Sequence, residues 1–136
     1  MREIVDRLFK AAEKLKEERK KLKDAVVEIE DILNGVGVPD DLYIEDAEPF
    51  YADEERDFVL AYNCGYICVA VTSVDGLYYK QLRDLGAGEM IALIESNRLV
   101  CFLEKVAGEL EEEQKDNAET LKKLEKIIAA MKEVEE

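Results

Sequence analysis

The sequence contains no histidine and no tryptophan. Histidine is the commonest general base and a frequent zinc ligand, so its absence excludes Ser-His-Asp and Cys-His catalytic sites within the chain. Serine occurs only at Ser73 and Ser96, and neither lies in the glycine-flanked turn of a catalytic nucleophile. These absences predict a protein that is not an enzyme and that has no catalytic, metal or cofactor site.

Long apolar runs are also missing, and cysteine is scarce. No stretch of 18 consecutive apolar residues occurs, so the sequence predicts neither a membrane span nor a secretory signal. The three cysteines, Cys64, Cys68 and Cys101, cannot all pair within one chain. We expect reduced thiols and a cytoplasmic location.

Basic residues are outnumbered, with 19 Lys and Arg against 33 Asp and Glu and a net charge of −14. Duplex nucleic acid and anionic membranes bind basic surfaces, so this balance argues against both as direct partners. Glutamine and asparagine are few beside glutamate and lysine, which is typical of heat-adapted proteins. With 38% charged and 48% hydrophobic residues, the composition favours long amphipathic helices.

The N-terminal segment carries a heptad repeat. Apolar residues recur every seven positions, at Met1, Leu8, Leu15, Leu22 and Ile29. This spacing places one apolar stripe along a helix and is typical of a coiled coil. The helix is predicted over 1–34, because Asn34-Gly35 is a helix-ending pair and Pro39 follows.

A second apolar repeat occupies residues 100–136. Its members alternate in steps of three and four, at Val100, Leu103, Ala107, Leu110, Leu121, Leu124, Ile128 and Met131. Gln114 and Asn117 interrupt it, as Glu18 and Arg19 interrupt the first helix. An antiparallel pairing in which facing residue numbers sum to about 132–136 brings the two interruptions together. The pattern therefore predicts an antiparallel helical hairpin within one chain, or the same pairing between two chains.

The middle of the chain, residues 35–99, predicts a small head. It opens with an acidic loop, residues 40–57, in which nine acidic side chains accompany one arginine. A short edge strand is expected at 42–44. Three runs rich in β-branched and aromatic residues predict an antiparallel meander with glycine-containing turns, over 58–62, 66–72 and 77–82.

An apolar helix from Glu89 to Leu99 is expected to pack on this sheet. Gly108, a glycine inside a helical pattern, predicts the point at which this helix bends into the C-terminal one. The fold class is therefore α+β, an antiparallel coiled-coil hairpin with three to four antiparallel strands backed by a helix. We expect a single domain, made of a stalk helix 1–34, the head 35–99 and a returning helix 100–136, and a homodimer.

Two sets of candidate contact residues follow from this layout. The acidic loop offers carboxylates and aromatic rings to a protein partner of basic character, at Tyr43, Glu45, Asp46, Glu48, Phe50, Tyr51, Asp53, Glu54 and Glu55. Candidates for an oligomer interface are stripe residues and two strand tyrosines, namely Leu8, Leu15, Leu22, Ile29, Leu121, Leu124, Ile128, Tyr62 and Tyr78. The carboxylates lack the spacing and turn glycine of a calcium loop, and an ordinary solvated loop is the alternative.

These features favour a non-enzymatic protein–protein interaction or scaffold protein, whose stalk positions its head. Two alternatives remain open. The order of helix, β hairpins and returning helix resembles prefoldin in topology alone, and the resemblance implies a holdase chaperone, although the helix at 89–99 departs from that plan. The acidic loop also suits an inhibitor that imitates nucleic-acid phosphates and blocks a basic nucleic-acid-binding partner.

Overall fold

The computed structural model describes residues 1–39 and 41–135, and it confirms the α+β class within them. Asp40, the first residue of the predicted acidic loop, lies outside the described residues. A four-stranded antiparallel sheet combines with three α-helices and a 3₁₀ turn. In chain order they are α1 (Arg2–Gly35), β1 (Ile44–Glu45), β2 (Asp57–Asn63), β3 (Tyr66–Ser73), β4 (Gly76–Gln81), the 3₁₀ turn (Leu82–Asp84), α2 (Ala87–Glu95) and α3 (Arg98–Glu135).

The end of α1 lies slightly beyond the predicted one. Gly35 is still helical, and the positive φ of +89° falls on Gly37 instead. The Val36 amide donates to Ile32 O at 2.9 Å and the Val38 amide to Leu33 O at 3.2 Å, which satisfies the last carbonyls of the helix. Glycine at position 37 therefore provides the left-handed turn that directs the chain away from the helix.

The sheet is a meander in the order β1-β2-β3-β4. Cys64 and Gly65 join β2 to β3 with φ values of +52° and +84°, the mirror-image turn that matches strand twist. Gly76, with φ +129°, opens β4 after the next turn. The predicted edge strand is present but shifted by about two residues, since Ile44 pairs with Tyr62.

The core lies on one face of the sheet. Alternate residues of β2 and β3 point to this face and are all buried: Phe58, Leu60, Tyr62, Ile67, Val69 and Val71. Val26 of α1, Leu82 of the 3₁₀ turn and Leu93 of α2 are also buried. Ala61 and Ala70 on the opposite face are buried too, so burial alternates along only part of each strand, and it was the runs of β-branched and aromatic residues that located these strands from sequence.

The two C-terminal helices are separated by Ser96 and Asn97. Asn97 adopts a φ of +59°, and Ser96 Oγ donates to Leu93 O at 2.9 Å. The predicted bend at Gly108 is wrong, because α3 runs without interruption from Arg98 through Gly108. Asparagine tolerates the left-handed conformation better than most residues, so the chain breaks at Asn97 instead.

The chain divides after Val100 into two compact units. Along the part of α3 beyond this point, Phe102 and Val106 are buried, whereas residues 111–134 are all exposed. No helix in the described part of the chain combines the length and apolar character that a membrane span requires.

Candidate interaction surfaces

The apolar stripe of α1 is exposed in the single chain. Leu8, Leu15 and Leu22 are 64%, 46% and 47% exposed, and Ile29 is half-buried near the end of the helix. Each leucine stands seven residues from the next, so all lie on one side of the helix. A row of large apolar side chains left in water is costly, and such rows are typical of contact surfaces.

α3 carries a second exposed stripe. Leu121, Leu124 and Ile128 are 55%, 50% and 50% exposed, and Met131 extends the same side of the helix. The helical oligomer candidates predicted from sequence therefore lie at the surface, apart from the half-buried Ile29.

The last turns of α1 are fixed to the β2–β3 hairpin by polar contacts. Glu30, only 2% exposed, accepts from the Ile67 amide through Oε2 at 2.8 Å. Four residues later, Asn34 Nδ2 donates to Gly65 O at 3.3 Å, and Asn34 Oδ1 accepts from the Tyr62 hydroxyl at 3.1 Å. This spacing places both side chains on one face of α1.

This arrangement corrects one interface candidate. Tyr62 is fully buried, because its ring belongs to the core and its hydroxyl is bonded to Asn34. Its side chain is therefore unavailable to a second chain.

Arg83 completes the attachment of α1 to the head. Its Nη2 donates to Glu30 Oε1 at 2.9 Å, and its guanidinium lies 5.4 Å from the centre of the Tyr66 ring. Ile67 lies one residue before Cys68, where the β3–β4 pairing ends, so the Glu30 carboxylate supplies the acceptor at the end of that ladder. The Glu30 carboxylate thus satisfies the buried Ile67 amide, which would be costly to leave without an acceptor.

Part of the acidic loop is neutralised by arginine within the head. Arg98, the first residue of α3, has its Nη1 2.9 Å from Glu48 Oε2 and 3.7 Å from Asp46 Oδ2. Asp46 is itself buried, and its Oδ1 accepts from the Glu48 amide at 3.2 Å. Asp46 is thereby corrected from a partner-binding candidate to an internal structural group.

Arg56 anchors the other half of the loop. Its Nε donates to Asp53 Oδ2 at 2.8 Å, its Nη1 donates to the Tyr78 hydroxyl at 3.2 Å, and its guanidinium lies 5.0 Å from the centre of the Phe58 ring. The hydrogen bond from Arg56 holds the pKa of Asp53 below its usual value. Tyr78 remains 44% exposed, so this interface candidate stays at the surface.

The Arg56 cluster continues to Glu89 at the start of α2. Glu89 Oε1 accepts from Lys80 Nζ at 2.7 Å and from the Gly86 amide at 2.8 Å, and Oε2 lies 3.6 Å from Arg56 Nη1. Burial raises the pKa of Glu89, but the hydrogen bonds from Lys80 and Gly86 and the nearby cations outweigh it, so the pKa lies below its ordinary value. Glu89 thus caps α2 and joins it to β4.

The remaining loop candidates divide by burial. Phe50 is 2% exposed and stacks on Phe58 with ring centres 5.2 Å apart, so it belongs to the core and not to a partner surface. Tyr43 and Tyr51 are exposed, and the Tyr43 hydroxyl donates to Glu45 Oε2 at 3.1 Å. The side chains of Glu45, Glu54 and Glu55 are exposed as well.

The sheet face opposite the core carries a shallow groove. It has a volume of about 180 Å³ and is lined by Tyr43, Ala61, Asn63, Cys68 and Tyr79. Burial, followed by the charges of Glu30 and Cys64, raises the pKa of the Cys68 thiol, which disfavours its reactive form. Cys64 and Cys68 are free thiols, and Cys64 is exposed in its turn.

The arginine anchors Arg56 and Arg98 and the capping glutamate Glu89 were missed by the sequence reasoning. A capping signal was present for Glu89, which follows the Gly86 N-cap by three residues.

Within residues 1–39 and 41–135, no group of three or more potential metal ligands comes together. Comparison with protein-family models, with curated proteins and with solved structures gave no match.

Proposed function

We propose that this chain is a non-enzymatic interaction or scaffold protein, in which α1 and α3 form an antiparallel coiled-coil stalk that positions the acidic head. The supporting observation is the pair of exposed stripes, illustrated by Leu8 at 64% and Leu124 at 50%. An isolated helix gains little stability in water, and most helical stability in proteins comes from packing of an apolar face. Stripes of this length therefore favour a covering helix.

The polar interruptions support the antiparallel direction. When facing residue numbers sum to about 132, Leu8 lies opposite Leu124, and Glu18 lies opposite Gln114. Polar side chains within an apolar seam fix register when they satisfy each other. The pairing is the hairpin expected from sequence if it forms within one chain, and the same register serves two chains.

Replacing Leu8 by Gln tests the stalk. Hydrogen–deuterium exchange of α1 is the measurement, and Leu8→Gln is expected to accelerate exchange in its first three turns by about tenfold or more, since a buried leucine contributes about 2 kcal/mol. Lys10→Gln, an exposed change on the other side of the same turn, is the control and should leave exchange nearly unchanged. Equal exchange in the two variants would show that nothing covers the stripe.

A second candidate function rests on the exposed part of the acidic loop. Tyr43 and Tyr51 are exposed, as are Glu45, Glu54 and Glu55 in the same loop, and exposed tyrosine together with unburied carboxylates suits recognition of a basic protein surface. The internal pairs of Asp46 and Asp53 hold the loop in place while these other groups face outward. The proposed partner of this surface is a basic protein, and an inhibitor of a nucleic-acid-binding protein would act through it.

Charge reversal distinguishes this role from an ordinary solvated loop. Glu54→Lys with Glu55→Lys should weaken capture of a basic protein partner from lysate at least tenfold and make it less sensitive to salt. Glu112→Lys with Glu119→Lys, on the exposed side of α3, makes the same change in net charge and serves as the control. Equal capture by both double variants would exclude the loop as the binding surface.

A further inference from the structure

The two long helices carry opposite charge at matching positions. Residues 14–23 of α1 contain six basic and two acidic side chains, in a protein whose net charge is −14. Residues 109–118 of α3 contain five acidic and one basic side chain. In both segments the charged side chains are exposed. Charge flanking an apolar seam selects the partner helix and its direction.

This charge layout identifies the helix that fits the α1 stripe. In an antiparallel pairing with facing numbers summing to about 132, residues 14–23 lie opposite residues 109–118, so the basic and acidic segments coincide. In this register Lys21, which flanks the α1 stripe, lies next to Glu113, which flanks the α3 stripe. Pairing α1 with another α1 at these segments would bring basic side chains together, and pairing α3 with α3 would bring acidic ones together. The α1 stripe is thus complementary to α3.

We propose that the helix covering the α1 stripe is α3 of a second copy of this chain, so that two copies exchange helices in an antiparallel, two-fold pairing. The inference deepens the proposed stalk and rests on it. The head end of α1 is held by Glu30 and Asn34, the first turn of α3 is held by Arg98, and the stripe side chains of both helices are exposed. A second copy covers both without disturbing these contacts, and two-fold symmetry makes each copy supply one helix to each seam.

Two oppositely designed double variants test the exchange. The first, Arg19→Glu with Lys21→Glu, makes the flanks of the α1 stripe acidic. The second, Glu111→Lys with Glu113→Lys, makes the flanks of the α3 stripe basic. Light scattering after size exclusion measures the mass of each variant, of the unaltered protein and of an equimolar mixture, against a chain mass of 15.5 kDa. The outward-facing changes Lys16→Glu with Lys20→Glu are the matched control.

The unaltered protein and the control are expected at twice the chain mass. Each double variant alone should dimerise about tenfold more weakly, because like charges then face each other across both seams. The mixture should regain the dimer, and native mass spectrometry should find one copy of each variant in it, since each new flank meets its opposite only in the other chain.

Three results would overturn the exchange. Variants that dimerise like the unaltered protein would show that another surface holds the copies together, and a mixture that fails to recover would show that the charge match does not operate between chains. An unaltered protein that stays monomeric would also exclude exchange. In that case, acceleration by Leu8→Gln would retain a stalk closed within one chain, whereas no acceleration would remove the proposed stalk as well.

Discussion

Replacing Glu30 by alanine should strongly destabilise the head. Glu30 is 2% exposed, and its two oxygens accept from the Ile67 amide at 2.8 Å and from Arg83 at 2.9 Å. Without the carboxylate, a buried amide loses its acceptor, at about 1–3 kcal/mol. Arg83 also loses its anion, which costs about 3–5 kcal/mol in a fully buried pair and less here because 24% of the Arg83 side chain is exposed. The expected total is about 3–4 kcal/mol.

The isosteric change Glu30→Gln separates charge from hydrogen bonding. A glutamine oxygen can still accept from the Ile67 amide, but it no longer neutralises Arg83, so we expect a loss of about 1–2 kcal/mol. Glu28→Ala, at an exposed position on the same helix, should change stability by less than about 0.5 kcal/mol. We therefore expect Glu28→Ala to be the most stable of the three variants, Glu30→Gln to be intermediate and Glu30→Ala to be the least stable.

Tyrosine signals provide an assay specific to the head. All six tyrosines lie between Tyr43 and Tyr79, and no tryptophan is present, so near-ultraviolet circular dichroism reports the head and not the helical ends. Urea unfolding followed by this signal gives the free energy and its denaturant dependence. Stability of Glu30→Ala within about 1 kcal/mol of the unaltered protein, at an unchanged denaturant dependence, would refute the reasoning.

Two further predictions concern the head. The folded-state pKa of Glu89 lies below its ordinary value of 4.5, so its contribution to stability is present above about pH 4.5 and is lost as the pH falls through the lowered pKa. By the same tyrosine assay, Glu89→Gln should be less stable than the unaltered protein at neutral pH and should lose less stability on acidification. Parallel pH profiles of the two proteins would contradict this. Cys64 has a φ of +52°, which asparagine adopts more readily, so Cys64→Asn should raise the melting temperature by a few degrees, whereas Cys64→Val should lower it; similar melting temperatures for the two variants would contradict the turn argument.

Local patterns in the sequence correctly predicted the turns and strands of the head, because these depend on residues close together in the chain. Glycine at positions 65 and 76 correctly marked the two hairpin turns, and runs of β-branched and aromatic residues located β2 to β4 within about one residue. The bend expected at Gly108 is absent, and the chain breaks at Ser96 and Asn97, a few residues before the predicted boundary between 99 and 100, because the positive φ of Asn97 carries no signal as strong as glycine. Sequence spacing also treated Phe50 and Tyr62 as surface residues.

The polar network depends on side chains distant in sequence and was not predicted. Glu30 and Arg83 are 53 residues apart, and Arg98 and Glu48 are 50 apart, so neither pair leaves a local pattern. A charge count described residues 40–57 as nine acidic side chains and one arginine, but it carried no information on which carboxylates pair with Arg56 and Arg98. The two apolar stripes were predicted, because a heptad repeat depends only on nearest turns of one helix, whereas their exposure was not, and their pairing stays a prediction.

Disulfide trapping tests the helix pairing most directly. With Cys64, Cys68 and Cys101 replaced by serine or alanine, Leu22→Cys with Leu110→Cys places one thiol on each stripe at positions whose numbers sum to 132. Mild oxidation should trap most of the protein in a covalent species of twice the chain mass, while Leu22→Cys with Met131→Cys should trap little. Efficient trapping at the mismatched pair, or no trapping at either, would contradict the antiparallel pairing of α1 with α3.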